Sequence, residues 1–213
     1  MKNNKIELKV IKIGFLGDST VGKTALCNSL LNLDFTEDML MSVGVDKLET
    51  KYRLKNGNEI KMILWDTAGQ ERFRSIALKA IKSVNGIVIV FDYTKKSTFD
   101  NIDLWLSDIR ENFENPCLVL FGNKIDLPKD RWQVTPEEVK KYAEKKKLVF
   151  FETSAKTKQG VNEGFSYIAN ESYNKAIEKY QKNIDIEEET EKPSSGCFGS
   201  KKKKNKSSKN KKK

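Results

Sequence analysis

Short apolar runs alternate with amphipathic stretches along most of the chain. Runs such as GIVIVF and CLVLF are typical of strands buried on both faces of a parallel sheet, whereas apolar residues at helical spacing predict helices between them. The predicted strands are Val10–Leu16, Val43–Leu54, Ile60–Trp65, Gly86–Phe91, Cys117–Phe121 and Leu148–Phe151. The predicted helices include Lys23–Leu33, Ser97–Asn112, a helix opened by the capping box Thr135–Glu138, and Val161–Tyr180.

This order of elements predicts an α/β fold with a six-stranded, mostly parallel sheet and five flanking helices. The tripeptide Asn56-Gly57-Asn58 is a turn signal between the second and third strands. These two strands are therefore predicted to form a hairpin. The hairpin would supply the one antiparallel strand, at an edge of the sheet.

The composition changes near residue 184, and we take residues 1–183 as one domain. An acidic patch, Asp185–Glu191, precedes a lysine-rich run, and the ten lysines after Glu191 account for the whole formal net charge of +10. Residues 184–213 are predicted to be a disordered tail with a polybasic end. Because the domain itself is close to neutral, no basic face for nucleic acid is expected.

Other features restrict the compartment and the chemistry. The polar start of the chain lacks the apolar stretch of a signal peptide, position 2 is not glycine, and no apolar run approaches the roughly 18–20 residues that span a bilayer. Three widely spaced cysteines, Cys27, Cys117 and Cys197, favour a reducing cytosolic compartment. The chain has no histidine, which excludes histidine bases and histidine metal ligands.

The segment Gly17–Thr24 matches the phosphate-binding pattern G-x-x-x-x-G-K-[ST]. It lies between a predicted strand and a predicted helix, which is the context that the pattern requires. Its backbone N–H groups can surround phosphates, Lys23 can reach the β- and γ-phosphates, and the Thr24 hydroxyl can bind Mg²⁺. The alternative, a tight turn with a surface lysine, does not explain why motif and context agree.

A second motif, Asn123-Lys124-Ile125-Asp126, points to guanine as the base. A carboxylate at Asp126 can accept the N1–H and 2-amino protons of guanine, which adenine does not present in that arrangement. The pattern N-K-x-D is weak alone, but the end of a strand is where an α/β sheet binds its ligand. Ser154-Ala155-Lys156 follows the last strand and can offer a backbone N–H to the guanine oxygen.

A third motif, Asp66-Thr67-Ala68-Gly69-Gln70, follows the strand that ends in ILW. Asp66 is predicted to bind Mg²⁺, usually through water, because Mg²⁺ keeps much of its hydration shell. Gly69 can donate its N–H to the γ-phosphate, and Gln70 can orient the attacking water. The pattern D-x-x-G is common by chance, but it carries weight in register with the other two motifs.

Taken in order, GDSTVGKT, WDTAGQERF, NKID and ETSAK resemble the motifs of the Ras superfamily of small GTPases, and most of all the Rab family. The resemblance covers about Lys9–Lys182. It implies a P-loop GTPase fold, bound GTP or GDP with Mg²⁺, and GTP hydrolysis that is slow without an activating protein. It also implies a role in vesicle and membrane traffic, with an arginine finger supplied in trans.

The resemblance assigns site residues by position. Phe35 would cover the guanine ring, and Ser42 would bind Mg²⁺ and the γ-phosphate in the GTP state. The residues expected to bind the nucleotide are Asp18, Ser19, Thr20, Val21, Gly22, Lys23, Thr24, Ala25, Phe35, Ser42, Gly69, Asn123, Lys124, Asp126, Ser154, Ala155 and Lys156. Thr24, Ser42 and Asp66 are expected to hold the metal, and Gln70 is the expected catalytic residue.

The resemblance also implies an exchange factor, an activating protein and effectors, bound through residues 36–50 and 66–84. This surface departs from the family pattern, because Ser42 replaces threonine and Lys47 and Ala80 replace the usual phenylalanine and tyrosine. Of the aromatic triad that effectors read, only Trp65 remains. A partner surface unlike that of other Rab proteins and a drifted sequence with ordinary partners both fit these changes.

The end of the chain departs most. Cys197 has 16 residues after it and no C-a-a-X pattern is present, so prenylation is not expected. The lysines of residues 201–213 are predicted to bind an anionic membrane at about 1 kcal/mol each near the surface, and S-acylation of Cys197 would add to this. Two alternatives stay open: a nuclear-localisation signal, and disorder that only solubilises.

These observations predict a monomeric GTPase switch in the cytoplasm, peripherally associated with the cytosolic face of intracellular membranes. The main alternative is a weakly cycling GTP-binding scaffold, because of Ser42 and the altered effector surface. An ATP-dependent kinase would need a phosphoryl acceptor site and a lid rich in arginine. The sequence shows neither, and Asp126 favours guanine.

Overall fold

The computed structural model describes residues 7–33, 45–67 and 74–190, with side chains as far as residue 184. The strands are β1 (Val10–Leu16), β2 (Val45–Arg53), β3 (Glu59–Thr67), β4 (Gly86–Asp92), β5 (Cys117–Asn123) and β6 (Val149–Glu152). The helices are α1 (Lys23–Leu30), α2 (Arg74–Ala80), α3 (Lys96–Asp100), α4 (Ile102–Asn112), α5 (Pro136–Lys146) and α6 (Val161–Thr190). A 3₁₀ turn covers Lys129–Arg131.

The six strands form one sheet in the order β2-β3-β1-β4-β5-β6. All neighbours are parallel except β2 and β3, which pair as the predicted antiparallel hairpin at the edge. The predicted α/β fold is confirmed. Because β1, β3, β4 and β5 are parallel neighbours, the loops after their carboxyl ends meet at one edge of the sheet.

Side chains of the central strands alternate between two apolar clusters, one on each face of the sheet. Val88 and Val90 belong to the cluster covered by α1 and α6, which includes Phe165, while Ile87 and Ile89 belong to the cluster covered by α2 to α5. All five side chains are at most 1% exposed. Burial on both faces explains why this strand is continuously apolar.

Two helices begin and end differently from the prediction. Helix α1 stops at Leu30 rather than Leu33, and Asn32 adopts the left-handed φ of 56° that commonly follows a helix end. The predicted helix Ser97–Asn112 is divided at Asn101 into α3 and α4. There the Leu104 N–H donates to the Asn101 carbonyl at 3.1 Å, so the hydrogen-bond ladder shortens to three residues. With α3 and α4 taken together, the described residues contain the five predicted helical regions.

Helix α6 runs ten residues beyond its predicted end at Tyr180, to Thr190. The first part of the predicted disordered tail, residues 184–190, is therefore helical. No proline or glycine interrupts the chain between Gly164 and Pro193, and its glutamates and lysines are good helix formers. Residues 181–183 are exposed, and helix propensity accounts for the continuation of the helix beyond Tyr180. The rest of the predicted tail, 191–213, lies outside the described residues.

Helix α5 begins as predicted. The Thr135 hydroxyl accepts from the Glu138 N–H at 3.2 Å, and the Glu138 carboxylate accepts from the Thr135 N–H at 2.8 Å. This is the reciprocal capping box, with Pro136 at the first helical position. Among the helices of the described residues, none is both long and apolar enough to cross a bilayer.

Candidate nucleotide-binding site

The loop between β1 and α1 has a backbone that only glycine allows at two points. Gly17 and Gly22 have φ values of 141° and 98°. A Cβ on Gly17 would lie 2.3 Å from the Val90 carbonyl oxygen, and one on Gly22 would lie 2.3 Å from Nδ2 of Asn123. The two glycines therefore let the loop pass close to β4 and β5, as a phosphate-binding loop requires.

Lys23 is the first residue of α1, and its side chain folds back across this loop. Its Nζ donates to the carbonyls of Gly17 at 3.0 Å and Asp18 at 2.8 Å, and the residue is 5% exposed. Burial lowers the pKa of Lys23 to about 8, although the nearby carboxylates of Asp66 and Asp18 oppose the shift. A buried cation held above a concave loop is suited to bind phosphate oxygens.

Two of the three predicted metal ligands lie together: Thr24 in the first turn of α1 and Asp66 near the end of β3. The hydroxyl of Thr24 donates to Oδ2 of Asp66 at 2.5 Å, and Asp66 is 1% exposed. The next residue, Thr67, donates to the Phe15 carbonyl at 2.6 Å and so fixes the end of β3 against β1. A hydroxyl and a carboxylate are hard oxygen ligands of the kind that Mg²⁺ prefers, so this pair fits the ion.

Asn123, the last residue of β5, links three segments of the site. Its Nδ2 donates to the Val21 carbonyl of the loop after β1 at 2.9 Å. Its Oδ1 accepts from the Ala155 N–H at 3.1 Å and from the Thr153 hydroxyl at 3.4 Å. The residue is 2% exposed. Asn123 thus fastens the loop after β6 to the phosphate-binding loop.

Asp126 lies at the rim of the same edge, half-buried, where its carboxylate is held by the last loop. Its Oδ1 accepts from the Ser154 hydroxyl at 2.6 Å, and that hydroxyl accepts from the Thr157 N–H at 3.0 Å. The carboxylate is thus oriented before any ligand arrives. An oriented carboxylate is the group needed to accept the two adjacent donors of guanine.

The sequence reasoning missed the residue that contacts Lys124. Its Nζ lies 2.6 Å from Oδ2 of Asp92, the fully buried last residue of β4. Lys124 also has a left-handed φ of 70°. The only sequence signal was the position of Asp92 at the end of an apolar strand, where a carboxylate must find a partner.

The side chain of Asp18 makes structural contacts, whereas its predicted contact with the nucleotide is through the backbone of the loop and stays a prediction. Its Oδ2 accepts from Nδ2 of Asn101 at 2.7 Å, and its Oδ1 accepts from Nε1 of Trp105 at 2.9 Å. The carboxylate therefore ties the phosphate-binding loop to α4, while the Asp18 carbonyl accepts from Nζ of Lys23. Arg74, the first residue of α2, stacks 4.5 Å from the centre of the Trp105 ring and pairs with Asp108.

The other expected residues are placed as follows. Val21 is buried, Ser19 and Ala25 are partly buried, and Thr20 and Lys156 are exposed. Phe35, Ser42, Gly69 and Gln70 lie outside the described residues, so their roles remain predictions.

The altered partner surface can be followed as far as the described residues go. Lys47 lies directly opposite Trp65 in the β2–β3 pair. Its Nζ contacts Glu49 at 2.6 Å, and Lys61 contacts the same carboxylate at 2.5 Å. Hydrogen bonds from the two lysines hold the pKa of Glu49 below its usual value. The aromatic position of the family is thus occupied by a member of an exposed charge cluster.

The fold and these contacts define a P-loop nucleotide-binding protein with a guanine-type base loop. The Ras family model matches residues 12–189. The chain is 36% identical over 173 residues to the Ras-related protein Rab11A of Lotus japonicus, covering 81% of this chain and 75% of the relative. It is 36% identical over 175 residues to the Ras-related protein Rab-5B of Plasmodium falciparum, covering 82% and 83%.

A third relative, the Ras-related protein Rab-11C of Dictyostelium discoideum, is 38% identical over 165 residues, covering 77% of this chain and 73% of the relative. The chain therefore belongs to the Ras family and is a Rab-like small GTPase, an enzyme that binds GTP and GDP and hydrolyses GTP. Exchange factors, activating proteins and effectors are the general partners of this family.

Proposed function

We propose that this GTPase is a Mg²⁺-dependent switch that cycles between GTP and GDP and regulates vesicle and membrane traffic at the cytosolic face of an intracellular membrane. The observation that carries the proposal is the meeting of three groups at one sheet edge: the buried Lys23, the Thr24–Asp66 pair and the oriented Asp126. We assign these groups to the phosphates, the metal and the base of one guanine nucleotide.

In the proposed mechanism the described residues bind and orient the substrate. Lys23 holds the β- and γ-phosphates, and Asp126 fixes the base, so that the γ-phosphate always occupies the same place. Thr24 and Asp66 would hold Mg²⁺, which neutralises charge that develops on the phosphate oxygens. Ser42 would join the metal ligands in the GTP state, and Gln70 would orient the attacking water.

Nucleotide binding tests the first half of this proposal. GTP and GDP should bind far more tightly than ATP, because adenine cannot satisfy Asp126. Equal affinity for GTP and ATP would refute a guanine switch. Single-turnover hydrolysis tests the second half: Gln70→Leu should slow hydrolysis and abolish its stimulation by an activating protein.

A weakly cycling GTP-binding scaffold is the second candidate, favoured by Lys47 at the position opposite Trp65. It predicts tight GTP binding, no difference between Gln70→Leu and the unchanged protein, and no stimulation by any activator. The same hydrolysis experiment therefore separates the two candidates.

The proposed membrane contact rests on the lysines of residues 201–213. Deleting this segment should weaken binding to vesicles that contain anionic lipid, most clearly at low salt, because each lysine adds about 1 kcal/mol near the surface. Nucleotide affinity should not change. Equal vesicle binding by both proteins at low salt would show that the tail does not bind the membrane.

We also propose that the protein is a monomer, and size-exclusion chromatography of the full chain should show one.

A further inference from the structure

Lys124 differs from an ordinary surface lysine in what its ammonium contacts. A lysine normally lays its methylene stem along the protein and keeps its ammonium in water. Here Nζ lies 2.6 Å from the carboxylate of Asp92, which is 0% exposed, while the Lys124 side chain as a whole remains 30% exposed. The ammonium of Lys124 is therefore held by a buried carboxylate and not by water alone.

Asp92 is held in place by the turn that follows β4. Its Oδ1 accepts from the N–H of Thr94 at 2.8 Å and from the Thr94 hydroxyl at 2.7 Å, and its own N–H donates to the Thr98 hydroxyl at 3.0 Å. These contacts fix one oxygen and direct the other, Oδ2, toward Lys124. A buried carboxylate with this geometry is a rigid anchor, because its alternatives would leave a charge unpaired.

The backbone brings Asp92 and Lys124 together at the base end of the site, the end that contains Asn123 and Asp126. Asp92 and Asn123 are register partners at the ends of β4 and β5. Lys124 follows immediately, and its left-handed φ of 70° turns the chain sharply between Asn123 and Asp126. The stem of Lys124 therefore starts between two residues of the base loop and is drawn toward β4.

We infer that Asp92 is a positioning residue for the guanine base: it holds the Lys124 ammonium so that the lysine stem forms one wall of the base pocket. In this arrangement Asp126 recognises the edge of the base and the stem supports its face. The inference rests on the proposed guanine-nucleotide function and adds a residue, Asp92, that would not touch the nucleotide itself.

The test is a double-mutant cycle on GDP release from the full-length protein with Mg²⁺, followed with a fluorescent GDP analogue. Asp92→Asn keeps an oxygen for Thr94 but removes the charge that faces Lys124, and Lys124→Met keeps an unbranched stem without the ammonium. Each change should speed GDP release on the order of 10-fold. The double variant should be no faster than the faster single variant, because both changes break one contact.

An Asp92 that affected the site independently of Lys124 would give a different result. The effects of the two substitutions would then multiply in the double variant, and this outcome would overturn the inference. Unchanged GDP release in Asp92→Asn would overturn it too. As a matched control, Asp100→Asn removes the exposed ion pair that Asp100 makes with Lys96 at 2.9 Å, and it should leave GDP release unchanged.

Base analogues add a second readout. IDP lacks the 2-amino group that Asp126 is expected to bind, so the ratio of GDP to IDP affinity reports on the edge of the base. This ratio should keep its wild-type value in Asp92→Asn, since the stem supports the face of the ring. A changed ratio would mean that Asp92 acts through Asp126, and it would overturn the inference.

A substitute variant and a binding control complete the test. If Asp92→Asn does not fold, Thr94→Val loosens the same carboxylate from its other side, and it should speed GDP release about 3-fold with the same non-additivity toward Lys124→Met. Failure of the proposed function is separately visible, because the unchanged protein would then bind no guanine nucleotide. If the unchanged protein binds GDP tightly but the effects of the two substitutions multiply, only the role of Asp92 is rejected.

Discussion

The base end and the phosphate end of the site are built in different ways. At the base end, protein groups hold one another in the arrangement that guanine requires: Ser154 orients Asp126, and Asn123 fastens two loops together. At the phosphate end, Lys23 donates to loop carbonyls and Thr24 donates to Asp66. These phosphate-end groups must exchange protein partners for phosphate oxygens and Mg²⁺.

This difference indicates which end of the site supplies constant affinity for the nucleotide and which end is sensitive to its phosphates and to the metal. A group that is already oriented loses little freedom when the ligand binds, so the base end contributes affinity that does not depend on the number of phosphates. A group that changes partners responds to what replaces those partners. Within the described site, the phosphate end is therefore the part whose affinity can differ between GTP and GDP. It is also the part whose affinity can depend on Mg²⁺ and on pH.

The largest effect is expected from Asp126→Asn. Two hydrogen bonds from guanine to a charged acceptor are lost, each contributing roughly 1.5–3 kcal/mol, so GTP and GDP affinity should fall on the order of 1000-fold. Asp130→Asn, on the exposed 3₁₀ turn nearby, is the matched control and should bind normally. Competition binding measures both. Retained affinity in Asp126→Asn would mean that the base end is not set by this carboxylate.

Thr24→Ala should be next, and its effect should depend on the metal. With Mg²⁺ present, GTP affinity should fall about 100-fold, because one ligand of the ion is lost. With the metal removed by EDTA, the variant and the unchanged protein should bind alike. An equal loss in both conditions would assign the Thr24 hydroxyl to the loop structure rather than to the ion.

The buried ammonium of Lys23 predicts a pH dependence of about 10-fold. Its pKa in the free protein is about 8, and bound phosphate would raise it, so nucleotide binding takes up a proton above that pH. Affinity for GDP should fall about 10-fold between pH 7 and pH 9. Calorimetry in buffers of different ionisation enthalpy measures the proton uptake. Lys23→Met is the control, because any pH dependence that remains in this variant does not come from Lys23 and can come from titration of the guanine ring.

The same pKa fixes the sign of a stability effect. The folded pKa of Lys23 is lowered toward 8 from the ordinary value of 10.5, so between these two values the unfolded chain binds more protons. The contribution of Lys23 to the unfolding free energy of the nucleotide-free protein should therefore rise with pH across this window. Urea unfolding of the protein and of Lys23→Met at both ends of the window measures it. A contribution that falls with pH would contradict the assignment.

The smallest effect is expected from Trp105→Phe. This change keeps an aromatic ring but removes the N–H that holds Asp18, so GDP release should quicken about 5-fold, corresponding to roughly 1 kcal/mol. Asn101→Ala removes the other donor to the same carboxylate and should act in the same direction. Leu104→Ala, exposed on the same helix, should have no effect. Equal release rates in all three would show that the tie to α4 does not restrain the loop.

Much of the fold and of the site followed from local patterns. The apolar strand Gly86–Asp92, the capping box at Thr135 and the loop Gly17–Thr24 each lie in one contiguous segment, where spacing fixes backbone geometry directly. Local patterns were less reliable at helix ends. The end of α6 at Thr190 reflects helix propensity in a polar segment where the apolar pattern had already faded.

The sequence by itself therefore determined the order of strands and helices, which follows from the apolar pattern. It also determined the family and the residues predicted to bind the nucleotide, because these depend on short motifs at the ends of strands. Only the tertiary structure decided that Asp18 contacts Trp105, 87 residues away, and that Asp92 lies beside Lys124. The reason is physical: these contacts depend on which strand ends and helices become neighbours, and that neighbourhood exists only once the parallel sheet has formed.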